Sequence, residues 1–225
     1  MKNFEKCYKQ KFPDKTNVII RIDGKAFHTL TRGMEKPFNN KLIEAMANTG
    51  IKLGKEIQNV KAIYIQSDEI SIWMNNDQTI DSQAWFGNSI NKIVSVSASI
   101  ATSEFNSLMG TKANFDSRAF ILPNETEVVN YMLWRAKDWE RNSLSMYARS
   151  VYSAKELHGK NKSDQHEMLH LKEMNWNDLN PQLKNGTMLV FDGSSMIILH
   201  PKPSYDDMKA ALGAEVGEGY NEEVA

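Results

Sequence analysis

VIIRIDGKAFH, residues 18–28, is the stretch on which the reading of the fold turns. Val18, Ile19, Ile20 and Ile22 are β-branched residues that favour a strand, and the run delivers Asp23 and Gly24 at the strand's end. Gly24 lets the backbone turn sharply and lets a ligand come close. Lys25, Ala26, Phe27 and His28 follow at a loop, where their backbone N–H groups are expected to be free and to form a concavity suited to phosphate. The same residues also fit an Asp-Gly turn with a buried His28. A second carboxylate brought to the same place from elsewhere in the chain decides between the two.

Working outward, residues 3–12 form a short helix ahead of Pro13. From Pro37 to about Gln58 the pattern is helical, with Phe38, Leu42, Ala45, Met46, Thr49 and Leu53 at three- and four-residue spacing and Pro37 in the first turn. AIYIQSDEISIWM (62–74) reads as a hairpin: the runs Ala62 to Gln66 and Ile70 to Met74 are joined by Ser67-Asp68-Glu69, two acids at the tip. Ala84 to Phe105 is helical again, and Ser95, Ser99 and Ser103 give it a small-residue face able to lie close against a sheet. ANFDSRAFIL (113–122) supplies a fourth strand, ended by Pro123. Strand, helix, strand, strand, helix, strand is the α+β, ferredoxin-like βαββαβ order, with an antiparallel sheet, both helices on one face, and strands one and three adjacent. Asp23 and Asp68 then converge.

Asn124 and Glu127 form an N-cap pair for a long helix through Val151. The loop SAKELHGKNK, a helix beginning near Ser163, and a hairpin GTMLVFDGSSMIILH with turn residues Asp192-Gly193-Ser194-Ser195 complete the body. The expected division is a sheet domain over 1–123, a mostly helical appendage with a terminal hairpin over 124–205, and an acidic, disordered tail over 206–225. The tail holds six acids against Lys209 alone, a net −5, so the other 205 residues carry +4 of the overall −1. A mildly basic body permits RNA binding. With 225 residues, 41% of them hydrophobic, the chain supports a sizeable core, and its one cysteine, Cys7, excludes an internal disulfide or cysteine-based zinc cluster. No apolar run approaches the ~20 residues of a membrane helix and the N-terminus lacks the apolar core of a signal peptide, so a soluble cytoplasmic protein is expected.

Two carboxylates at adjacent strand ends beside a glycine-assisted phosphate loop are what two Mg²⁺ ions need for nucleotidyl transfer. Hard oxygen ligands suffice: Asp23, Asp68 and the main-chain carbonyl of Gly24, with Glu69 on the opposite side of its strand as a secondary participant. Lys92, in FGNSINKIVS, is either a cation near the incoming triphosphate or a surface lysine. Arg135, Arg141, Asn142 and Lys155, among basic residues interleaved with Trp134, Trp139 and Tyr147, suit contact with an RNA backbone, or else mark the charged outer face of an ordinary helix. His166-Glu167-Met168-Leu169-His170 matches the HExxH zinc-peptidase pattern, but Asp192 is its one candidate third ligand at a suitable distance, and an exposed polar helix face is the better reading.

IRIDGKAFHTLTRGMEKPF, YIQSDEISI, FGNSINKIVS, FDSRAFILP, WRAKDWERNSLSMYA and GKNKSDQHEML, in this order, resemble the tRNA(His) guanylyltransferase-like proteins, the polymerases that extend RNA in the 3′→5′ direction. The resemblance implies that Asp23, Gly24 and Asp68 hold two Mg²⁺, that residues 23–28 with Ser67 and Asp68 bind the nucleotide, and that Glu69 and Lys92 assist. It implies ATP, GTP and other nucleoside triphosphates as substrates, tRNA as partner, and a homotetramer. Where the eukaryotic guanylyltransferases carry a His-Ile-Asn-Asn type segment, this chain has Arg141-Asn142-Ser143-Leu144, as in shorter microbial and viral-type relatives. That favours template-dependent repair of 5′-truncated tRNA over addition of a single G to tRNA(His). A nucleotide cyclase on the same palm, and a non-catalytic RNA-binding module, are the alternatives.

Overall fold

The computed structural model describes residues 1–75, 82–193 and 195–214. The chain is organised by a six-stranded antiparallel sheet in the order β4-β1-β3-β2-β5-β6. The first helix, α1 (Lys2–Lys6), is shorter than expected, and β1 (Asn17–Gly24) runs into a single helical turn, α2 (Phe27–Leu30). β1 lies between β3 (Glu69–Asn75) and β4 (Phe115–Leu122), while β2 (Val60–Gln66) flanks β3 on its other side. The expected central pairing of the first and third strands is therefore present. Val18, Ile19 and Ile20 are all buried, because both faces of the sheet are covered and consecutive residues of β1 point to opposite faces.

On one face lie α3 (Asn40–Glu56) and α4 (Ile90–Met109), packed over Ile20, Ile22, Ile63 and Ile72. Helix α3 starts at Asn39 and not at Pro37: the Asn39 side chain accepts the Leu42 N–H at 2.9 Å, satisfying a donor that proline's position cannot. The helix expected from Ala84 is broken, since Phe86 (φ 52°) and Gly87 (φ 54°) turn left-handed within a 3-10 turn at Trp85–Asn88. Its buried stripe is Ile93, Ser97, Ala101 and Phe105, at four-residue spacing, whereas Ser95, Ser99 and Ser103 face solvent. The serine face is thus not the packing face, because the neighbouring stripe carries the larger apolar area.

The other face is covered by α5 (Glu125–Arg149), capped as expected by Asn124, whose side chain accepts the Glu127 N–H at 2.9 Å. Its N-terminal half buries Val128, Val129 and Met132 against Ile19, Tyr64 and Trp73. Its C-terminal half packs with α6 (Ala154–Leu157), α7 (Lys162–His170) and α8 (Pro181–Asn185), where Leu144, Ala148, Leu169 and Trp176 form a small core of their own. β5 (Thr187–Asp192) then pairs with β2, Tyr64 opposite Met188, and β6 (Ser195–Leu199) closes the sheet. Residues 124–205 therefore extend the first sheet as well as appending helices to it. Of the expected hairpin turn, Asp192 pairs with Ser195, and Ser194 lies outside the described residues.

The tail expectation needs correcting for its first part. Tyr205–Leu212 is a helix, α9, that buries Met208 and Ala211 on the same face as α5. Asp206 and Asp207 sit in its first turn, where negative charge meets the positive end of the helix dipole. The composition of the whole tail masked this short apolar stripe; residues 215–225 lie outside the described ones. No described helix is long and apolar enough to cross a membrane.

Candidate active site

Asp23 and Asp68 meet because of strand register. Asp23 stands opposite Glu69 across the β1–β3 pair, and the Gly24 N–H donates to the Asp68 carbonyl at 3.0 Å. Gln66 pairs with Glu69, so the β2–β3 link is only Ser67-Asp68, with Ser67 left-handed (φ 48°). Glu69 is thus a strand residue beside the tip and not part of it.

Gly24 is required by its neighbour: a Cβ there would lie 2.3 Å from Phe27 Cδ2. The Phe27 ring cannot retreat, being packed 5.2 Å from Phe105 and 5.1 Å from Phe115, centroid to centroid. The phosphate loop is accordingly smaller than expected. The Gly24 amide is used by Asp68, and the Lys25 amide donates to the Asn114 carbonyl at 2.8 Å. Among the described residues, the amides of Ala26 (φ 57°), Phe27 and His28 donate to no acceptor, at the unsatisfied start of α2.

Burial raises the Asp68 carboxyl above the ordinary carboxylate range, and the charges of Asp23 and Glu69 add to the effect, partly offset by the Ser67 hydroxyl. Burial likewise raises Asp23, with Glu69 and Asp116 adding and Arg118 and Arg21 opposing. The strand ends therefore hold an excess of negative charge that a cation would relieve. Glu69 has a partner of its own: Arg135 Nε and Nη2 donate to its two oxygens at 2.6 and 2.8 Å. Burial alone would lower the Arg135 pKa, but the hydrogen bonds and charges of Glu69 and Asp138 raise it. At 8% exposure and stacked 4.4 Å from the Trp134 ring, Arg135 ties α5 to the acidic tip.

Two cavities open at this tip. The first, about 540 Å³, is lined by Asp23, Gly24, Ala26, Phe27, His28, Ser67 and Asp68 and by an apolar end that includes Phe38, Leu42, Met46 and Leu183. The second, about 450 Å³, is lined by Asp23, Asp68, Glu69, Arg135, Asp138, Arg141, Asn142 and Arg149. Both are bordered by Gln66, Ser67, Trp139 and Met146, so they meet at the acidic pair. Arg141 and Asn142 line this second cavity, each bonded to Asp138. Lys92 and Lys155 are exposed and line neither cavity; Lys92 sits 5.5 Å from the Phe86 ring. Sequence reasoning missed Gln66, Met146 and the role of Trp139, whose one available signal is its position four residues after Arg135, on the same helix face.

Two hard carboxylates and the Gly24 carbonyl, with Glu69 already engaged, suit Mg²⁺, which keeps several waters and takes the rest of its ligands from substrate phosphates. No three His, Cys, Asp or Glu side chains among the described residues form a group able to hold a metal, so the site is not a closed protein cage. The same fact leaves the HExxH pair without a third ligand there; His166 packs edge-on against Trp176 at 5.7 Å.

Residues 1–132 match the family model described as tRNAHis guanylyltransferase. The chain is 40% identical to a bacterial tRNA(His) guanylyltransferase-like protein solved in complex with ATP, with a TM-score of 0.88 over 93% of this chain and 94% of that one. A second such bacterial structure, in complex with GTP, is 37% identical with a TM-score of 0.73, covering 89% of each chain. A probable tRNA(His) guanylyltransferase of Drosophila melanogaster is 25% identical over 194 residues, 77% of this chain and 66% of the fly protein. The matched region carries Asp23, Gly24, Ser67, Asp68 and Glu69, and the palm-like α+β fold around them is that of the bacterial structures; this chain belongs to the tRNAHis guanylyltransferase family.

Proposed function

We propose that the protein is a Mg²⁺-dependent nucleotidyltransferase that adds nucleotides to the 5′ end of tRNA in the 3′→5′ direction, following the opposing template base, to repair truncated ends. The observation that carries this is the meeting of two cavities, one ending in apolar side chains and one carrying arginines, at the Asp23–Asp68 pair. Bound by Asp23, Asp68 and the Gly24 carbonyl, two Mg²⁺ would lower the pKa of an attacking hydroxyl and neutralise triphosphate charge. The free amides of Ala26, Phe27 and His28 donate to phosphate oxygens, and Phe38, Leu42, Met46 and Leu183 offer an apolar seat for a base. Arg141 and Arg149, in the second cavity, face the phosphates of the RNA end. A 5′-monophosphate is first joined to AMP or GMP from ATP or GTP, releasing pyrophosphate. The 3′-hydroxyl of the incoming nucleoside triphosphate then attacks that 5′-phosphate and displaces the AMP or GMP; a 5′-triphosphate end skips activation and loses pyrophosphate directly. The likeness to the bacterial ATP and GTP complexes supports the nucleotide sites, and the Arg141-Asn142-Ser143-Leu144 segment supports the templated reading. The family resemblance supports a cytoplasmic homotetramer.

The test is incubation with Mg²⁺, labelled nucleoside triphosphates and a tRNA lacking its first 5′ nucleotide, in versions whose opposing base is C or A. Product that follows the opposing base is expected. G added regardless of the template would replace repair by the tRNA(His) activity, and no addition to either RNA would overturn the enzyme reading.

A further inference from the structure

Trp134 is the aromatic side chain of α5 that stands open to solvent, at 54% exposure, whereas Tyr131 and Trp139 are buried and Tyr147 is half-buried. An exposed indole is ordinarily loose, but this one is held. The Arg135 guanidinium carbon lies 4.4 Å from the centre of its ring, and the Tyr131 ring is 6.0 Å away, tilted by 56°. Both supports are themselves fixed, Arg135 by Glu69 at 2.6 and 2.8 Å and Tyr131 by the Ser71 hydroxyl at 2.9 Å. With one face resting on the guanidinium, the open area of the indole is its other face.

That face continues the wall of the second cavity. Asp138, Arg141, Ser145 and Arg149 line the cavity at three- and four-residue spacing, and Trp134 stands one helical turn before Asp138, about 5–6 Å away between Cβ atoms. The charge beside it favours an anionic partner. The two acids between Trp134 and Arg149 are engaged, Asp138 by Arg135 and Arg141 and Glu140 by Lys162 at 2.7 Å. Lys137 and Arg149 are exposed and form no ion pair among the described residues.

We propose that the open face of Trp134 stacks on an unpaired base of the RNA strand opposite the extended 5′ end. The inference rests on the proposed transferase activity and names how its RNA is held. Bases within a duplex already stack on one another, whereas a truncated 5′ end leaves the facing bases of the other strand unpaired, each with a free π face. An indole accepts all four bases alike, which suits an enzyme that copies whatever base is opposed. Fixing the ring in advance removes the entropy cost of ordering it when RNA binds.

Fluorescence anisotropy tests it on the full chain in Mg²⁺, with a labelled RNA minihelix that is blunt, carries unpaired nucleotides at its 3′ end, or carries the same tail without bases. Wild type should bind the tailed RNA about five- to a hundredfold more tightly than the blunt one, and the tail without bases should recover little of that gain. Trp134→Ala should erase the gain while leaving the blunt affinity unchanged, and Trp134→Phe should keep most of it. Melting temperature and calorimetric ATP affinity report whether the Arg135 contact and the nucleotide site survive in the variants; the comparison of tails on wild type needs no variant. Equal wild-type affinity for tailed and blunt RNA, a gain that persists without the bases, or a Trp134→Ala protein that keeps the gain or weakens both RNAs alike overturns the stack. In each of those cases wild-type ATP binding and nucleotide addition leave the transferase reading standing, and the loss of both overturns it as well.

Discussion

Replacing Arg135 with alanine isolates the tie between α5 and the acidic tip. The variant leaves Glu69, whose side chain is 11% exposed, without its two guanidinium hydrogen bonds at 2.6 and 2.8 Å. The remaining donors, Gln66 Nε2 at 3.3 Å and Ser71 Oγ at 3.5 Å, are neutral and long. Removing one member of a buried ion pair costs about 3–5 kcal/mol, against about 0–1 kcal/mol for an exposed pair. Loss of the stacking on Trp134 adds about 0.5–1 kcal/mol. Against a typical total of about 5–15 kcal/mol, the change should move the urea midpoint well outside experimental scatter. Most of the penalty is the orphaned charge, so Glu69→Gln in the Arg135→Ala background should restore part of the stability, giving a strong coupling in the double-mutant cycle. A loss below about 1 kcal/mol, or no recovery in the double variant, would mean that Glu69 is solvated and that α5 is not anchored through it.

Gly24→Ala drives a methyl into the Phe27 ring, itself held by Phe105 and Phe115, and should cost about 1–3 kcal/mol in chemical denaturation; a neutral result would show that the ring yields. Asp68 is raised by burial and by the neighbouring acids, so the folded protein keeps its proton to higher pH than the unfolded chain does. The stability this confers is complete below the unfolded value of 3.8 and is lost as pH rises through the folded one, so metal-free Asp68→Asn should melt above wild type at pH 7, with the gap closing on acidification. Met208→Ala should cost about 2–5 kcal/mol, because α9 is a packed element of the sheet's second face; a surface-like effect near zero would return it to the tail.

The first half of the chain was legible because its signals are local. The apolar run before Asp23, the two β-rich runs around Ser67-Asp68 and the 3.6-residue period of α3 each specify an element without outside help, and their order fixes which strands are neighbours. The second half was less so. That β5 pairs with β2 depends on a contact more than a hundred residues apart in sequence, a separation that no local period encodes. A charge on an amphipathic helix is normally solvated, so the sequence of α5 gives no sign that Arg135 turns inward; the position of Glu69 across the sheet is what turns it. Gln66 and Trp139 carried no chemical signature at all, since an amide and an indole become notable only when their polar atoms are found buried and unpaired.

Single-turnover addition to a truncated tRNA bearing a 5′-triphosphate, which needs no activation, tests the central claim most directly when run with Asp23→Ala and Asp68→Ala beside wild type. The account predicts a fall in rate of about a hundredfold or more in each variant, with melting temperatures no lower than that of the wild-type protein. A folded variant that extends the RNA at the wild-type rate would contradict it.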